Sequence, residues 1–138
     1  MSKFAAKLIF CATLVAGHPL VACADQNDPR LDQLFGDLQT PLSTTAVEET
    51  EAKIWAYWTS FPDDEIVENT MAKATQLMQS GRLQSAERIL TRIIDRAPDY
   101  AEAWNKRATV RFMIGNHVGS ADDIAKVLQL EPRHFGAL

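Results

Sequence analysis

Residues 67–100, VENTMAKATQLMQSGRLQSAERILTRIIDRAPDY, run directly into residues 101–134, AEAWNKRATVRFMIGNHVGSADDIAKVLQLEPRH, and the two stretches align at a period of 34 residues. In that register Glu68 falls on Glu102, Ala74 on Ala108, Thr75 on Thr109, Gly81 on Gly115 and Pro98 on Pro132. Elsewhere character is kept where identity is not: Ala86 meets Ser120, Leu90 meets Ile124, Ile93 meets Val127 and Ile94 meets Leu128. A fixed period of this length marks units that bury their apolar faces only against their neighbours. Such an array argues for a surface that binds and does not say what is bound.

Counted from Ala101 as the first position, Trp104 stands fourth, Ala108 eighth, Gly115 fifteenth, Ser120 twentieth, Ile124 twenty-fourth, Val127 twenty-seventh and Pro132 thirty-second. This pattern resembles the tetratricopeptide repeat (TPR) family, over residues 67–132. The unit from Val67 is looser, with Thr70 where the family has an aromatic residue, but it keeps Ala74, Gly81, Ala86, Leu90, Ile93 and Pro98. The resemblance implies an all-α fold of antiparallel helix pairs stacked as a short right-handed superhelix, an α-solenoid, with repeats at 67–100 and 101–134. Each signature residue has a physical reason. Small side chains at Ala74, Ala86, Ala108 and Ser120 let two backbones approach where helix ridges cross. Gly81 and Gly115 end the first helix of each pair, and Pro98 and Pro132 stop the second. Helices are expected near 66–80, 83–96, 101–114 and 118–130.

Residues 1–24 read as a signal peptide: Lys3 and Lys7 give a positive start, residues 8–17 are an apolar run, and His18-Pro19 breaks it. The run is far short of the roughly 20 apolar residues needed to cross a bilayer. Ala22 and Ala24 fit the A-x-A rule for cleavage, releasing a soluble exported protein, periplasmic in a bacterium. Leu20-Val21-Ala22-Cys23 also resembles the bacterial lipoprotein box, which would make Cys23 the lipidation site and supply the one route to a membrane. The only other cysteine, Cys11, lies within the signal, so disulfide, zinc-finger and thiol-nucleophile readings fall away. With Lys3 and Lys7 removed the formal charge moves from −4 to −6. That balance disfavours nucleic acid, whose affinity comes from phosphate neutralisation, and favours a protein or peptide partner.

Residues 25–30 read as an extended linker. Leu31, Leu34, Phe35 and Leu38 recur at helical spacing, and a second helix follows with Thr45 and Glu48 in capping-box register and Ile54, Trp55, Trp58 and Phe61 near its apolar stripe. Ala52 falls on the small twentieth position, so residues 31–61 read as a degenerate helical hairpin capping the stack. At the other end, residues 135–138 read as the start of a further, truncated helix, leaving Ile124, Val127, Leu128 and Leu130 incompletely covered. Either the chain is a shortened member resembling exported bacterial TPR proteins, or this open end self-associates.

No catalytic, cofactor or metal constellation is legible. His117 and His134 have no metal spacing and read as solvent-exposed loop residues, and no serine stands in a G-x-S-x-G elbow. Asp123 with Arg107 resembles a family pair that orients the two helices. Arg88, Arg92 and Arg96 form one stripe, read as a solvated outer face. The resemblance implies a concave groove lined by the first helix of each pair: Glu68, Met71, Thr75, Met78 and Gln79, then Glu102, Asn105, Thr109, Phe112 and Met113. The functional expectation is a non-catalytic adaptor of the bacterial cell envelope that holds a protein or peptide segment in this groove. The alternatives are a lipid-anchored component of an envelope assembly complex and an accessory domain of an enzyme.

Overall fold

The computed structural model describes residues 25–138; the signal-peptide and Cys23 readings fall outside the described residues. A short 3-10 turn, Asp25–Asn27, precedes six helices: α1 Arg30–Leu38, α2 Thr44–Thr59, α3 Glu65–Gln79, α4 Leu83–Arg96, α5 Ala101–Met113 and α6 His117–Leu130. No strand occurs among the described residues. From α3 onward each helix packs on the next, α3 on α4, α4 on α5 and α5 on α6. This is an all-α stack of helix pairs in the manner of a TPR-like α-solenoid.

Local chemistry sets the helix ends. Asp64 starts α3 by accepting the amides of Ile66 and Val67 at 3.0 and 3.3 Å, and Asn116 starts α6 by accepting that of Gly119 at 3.0 Å. At the close of α3, Gly81 takes a φ of 71°, and at the close of α5, Gly115 takes 85°. Each glycine forms a Schellman cap. The amide of Arg82 reaches the Leu77 carbonyl at 2.9 Å and that of Gly81 reaches Met78 at 3.0 Å; Asn116 to Arg111 and Gly115 to Phe112 repeat the pattern at 2.8 and 3.0 Å.

Packing follows the register. Ala74 and Ala86 are fully buried where α3 crosses α4, and Ser120 Oγ donates to the Ala108 carbonyl at 2.8 Å where α6 crosses α5. Leu90, Ile93 and Ile94 on α4 join Val67, Met71 and Leu77 of α3 and Ala103 and Val110 of α5 in one core, with Trp104 packed against it. Burying each large aliphatic side chain contributes about 2 kcal/mol. A buried polar knot crosses the same interface. Arg107 donates to both oxygens of Asp123, at 2.9 and 2.7 Å, and to Thr91 Oγ1 at 3.2 Å. Arg111 lies 3.0 Å from Asp123 and 2.9 Å from Glu87. One carboxylate on α6 thereby organises two arginines of α5, both of which also reach α4.

The N-terminal segment departs from expectation in three places. Residues 25–30 are not an extended linker: the 3-10 turn lies against α2, and the buried Gln26 side chain donates to the Asp99 carbonyl. The cap of α2 is Ser43, whose Oγ accepts from the Ala46 amide at 3.3 Å, so Thr45 and Glu48 lie inside the helix. The α1–α2 hairpin caps the stack without extending its register. Ala52 is exposed, whereas its register mates Ala86 and Ser120 are buried, and α2 lies against α5. The reason is aromatic: Trp55 and Trp58 of α2 find their partners in the segment after α6.

That segment, residues 131–138, forms a strap and no helix; its last turn is closed by the Ala137 amide on the His134 carbonyl at 2.9 Å. Phe135 packs 5.4 Å from Trp55 and 4.9 Å from Trp58, ring centre to ring centre. His134, expected in solvent, has 0% exposure and stacks on Trp58 at 4.1 Å, 8° from parallel. Arg133 bonds buried Glu131 through Nε and Nη2 at 2.9 Å, reaches Asp32 on α1 at 2.7 Å, and lies over the Phe35 ring. Beneath the strap and hairpin, Val127 is buried, while Ile124, Leu128 and Leu130 are half-buried.

Two substitutions test these supports. A Cβ added at Gly81 or Gly115 would meet nothing within 4 Å, so Gly81→Ala and Gly115→Ala should each cost only the backbone term, about 1 kcal/mol, with Asn costing less; urea unfolding measures both. Asp123→Ala leaves Arg107 buried without its anion and should cost about 3 kcal/mol or more. An unchanged urea midpoint would show that the knot carries no stability.

Candidate functional site

The first helix of each pair, α3 and α5, presents the face on which ten binding residues were placed from sequence. On α3, Glu68 and Gln79 are exposed, Thr75 is half-buried and Met71 is buried. Met78 packs against the core cluster. On α5, Thr109 is exposed, Phe112 has 64% and Met113 56% exposure, whereas Glu102 and Asn105 are buried. The structure therefore divides the anticipated single floor. A cleft of about 450 Å³ is lined by Glu68, Met71, Thr75 and Gln79 of α3, by Ala72 and Gln76 beside them, by Thr59 at the end of α2 and by Lys106 of α5. A second, of about 320 Å³, is lined by Asn105, Thr109 and Phe112 of α5, by Ser120 and Ile124 of α6, and by Ala137 and Leu138 of the strap.

Glu102 sits under the strap, and its surroundings account for its burial. Its Oε2 accepts from Asn105 Nδ2 at 2.9 Å and lies 3.3 Å from His134 Nε2; its Oε1 lies 3.1 Å from Lys106 Nζ. The imidazole is within ion-pair reach but outside good hydrogen-bond geometry, and neither of its nitrogens makes a hydrogen bond within the protein. Burial alone pushes the Glu102 carboxyl up, but His134, Lys106 and Asn105 together outweigh it and hold the group below its ordinary value. A buried carboxylate so compensated is affordable; stripped of those partners it would not be.

Sequence reasoning missed His134, Lys106 and the strap. One signal for His134 was present in the register: it stands 34 residues after Tyr100, which is also fully buried, packs on Phe61 and donates its hydroxyl to the Thr59 carbonyl at 2.9 Å. A planar ring at the last position of each unit closes that unit against the hairpin. On the other side of the molecule Arg88, Arg92 and Arg96 are exposed, with Arg96 paired to Asp64. Among the described residues no three His, Cys, Asp or Glu side chains are grouped to hold a metal ion, and no helix is long and apolar enough to cross a membrane.

The lowered Glu102 carboxyl gives a signed pH prediction. Because the folded protein holds the proton less tightly than the unfolded chain, the ionised group stabilises the fold fully above its ordinary value of 4.5 and loses that contribution as pH falls below it. The stability gap between wild type and Glu102→Gln should be widest near neutrality and should shrink below about pH 4.5. Denaturation series at several pH values check this, and a gap independent of pH would contradict it.

Among known proteins, no family model matches this chain, and no solved structure does. It is similar to a curated TPR repeat-containing protein of Rhizobium etli, 38% identical over 109 residues that make up 79% of this chain and 53% of the relative. The chain thus spans about half the length of that relative. With a 34-residue period, serially packed helix pairs and Schellman-closed turns on the same residues that carry this likeness, the chain belongs to the tetratricopeptide repeat family.

Proposed function

We propose that this protein is an interaction module of the bacterial cell envelope, holding a segment of another protein against the inner face of its helix stack and performing no chemistry itself. The observation that carries the reading is the α3 cleft. It is open along nearly the whole helix, and it mixes an adaptable thioether, hydroxyl and amide groups and charge on a rigid support. The composition of residues 1–24 supports export. Cleavage after Ala24 would release the module in soluble form, and acylation of Cys23 would tether it to a membrane.

Site-specific photocrosslinking in intact cells tests the reading. A photoreactive residue at Gln79, in the cleft, should yield adducts that the same residue at Arg88, on the opposite, exposed α4 surface, does not. Glutamate substitution at Met78 is a poor probe, because that side chain packs against the core. Identical adducts from positions 79 and 88, or none from 79, would remove the inner face as the binding surface.

A further inference from the structure

The α3 cleft constrains the chemistry of its occupant, and the constraint rests on the reading that this cleft holds a partner. Its floor is the stripe Glu68, Ala72, Gln76 and Gln79, which runs about 16 Å along the helix. That length matches about five residues of extended chain. Gln76 and Gln79 each carry a donor and an acceptor, suited to the backbone of such a segment, and Met71 beside Ala72 gives an apolar contact whose shape adapts.

Charge then selects the occupant. Two charged side chains line the cleft, Glu68 and Lys106. Lys106 is committed, with Nζ 3.1 Å from a carboxylate of 2% exposure on Glu102; turning it toward an incoming anion would strip compensation from a buried charge. Glu68 is exposed and makes no hydrogen bond or ion pair. The effect of these carboxylates is felt inside the protein: burial first, then Glu102 and Glu68, push the Tyr100 phenol up. An anion entering here meets an unopposed carboxylate and no available cation, and a cation meets the reverse.

We infer that the α3 cleft takes a short extended protein segment of about five residues that places a Lys or Arg side chain on Glu68, lays a small or apolar side chain over Met71 and Ala72, and pairs its backbone with Gln76 and Gln79. Recognition of a negatively charged segment is excluded by the same arrangement.

Fluorescence anisotropy with two pools of capped, fluorescein-labelled pentapeptides tests this. Both pools are random in Ala, Leu, Ser and Gln, with one residue, scanned over all positions, fixed as Arg in the first pool and Glu in the second. The Arg pool should bind the wild-type protein about three- to fivefold more tightly, as an exposed ion pair allows, and the preference should fade at high salt. Glu68→Lys should reverse it, while Phe112→Ala, in the other cleft, should leave it unchanged. Equal binding of the pools, or preference for Glu, overturns the charge assignment while leaving the binding face standing. Binding of neither pool, with crosslinks still forming at position 79, overturns the short extended segment; binding of neither pool and no crosslinks removes the cleft altogether.

Discussion

The constraint on which this molecule depends is that α4 has two partners. Its apolar face is too broad for one neighbour, so Leu90, Ile93 and Ile94 are buried only because α3 covers one flank and α5 the other. The 34-residue period ensures that the same face recurs at the same angle in α6, where Val127 stands in the place of Ile93. Small residues at the crossings bring the backbones close enough for Ser120 to reach the Ala108 carbonyl. The polar knot around Asp123 then fixes the approach, since its two arginines fit only one relative placement of three helices. Hydrophobic area supplies most of the stabilisation and the knot supplies the geometry.

What lay open in the sequence and what did not divide along a physical line. Helices α3 to α6 were readable to within a residue or so because their limits are local: a glycine that alone tolerates positive φ, a proline without an amide, an Asp or Asn that caps. Pairing of Arg107 with Asp123 spans 16 residues inside one repeat and is a property of the unit. The hairpin and strap are different. Arg133 meets Asp32 across 101 residues, and His134 meets Trp58 across a comparable stretch; no periodicity encodes such contacts. Trp55, Trp58 and Phe135 announced themselves only as apolar residues in need of cover, without saying that they cover one another.

This long-range closure reshapes the site. A stack of helix pairs alone would offer one continuous inner floor. Here the strap and α2 cover its start on α5, burying Glu102 and Asn105 and leaving one cleft against α3 and another against α6. Residues assigned to a common groove by position, such as Gln79 and Phe112, consequently line different clefts. Position within a repeat tells which way a side chain points, and the rest of the chain decides whether anything can reach it.

Glu102 joins these two levels of structure. On one side it meets His134, and through that ring the strap, Trp58 and the hairpin; on the other it holds Lys106, which lines the α3 cleft. The positive charge of Lys106 is neutralised only while Glu102 stays buried and ionised beneath the strap. Were the strap lifted, water would solvate the carboxylate, its hold on Lys106 would weaken as the local dielectric rises, and the cleft would gain a mobile cation opposite Glu68. The charge presented to a partner is therefore a consequence of closure at the far end of the chain, so strap and cleft are electrostatically one site although 34 residues separate Glu68 from Glu102.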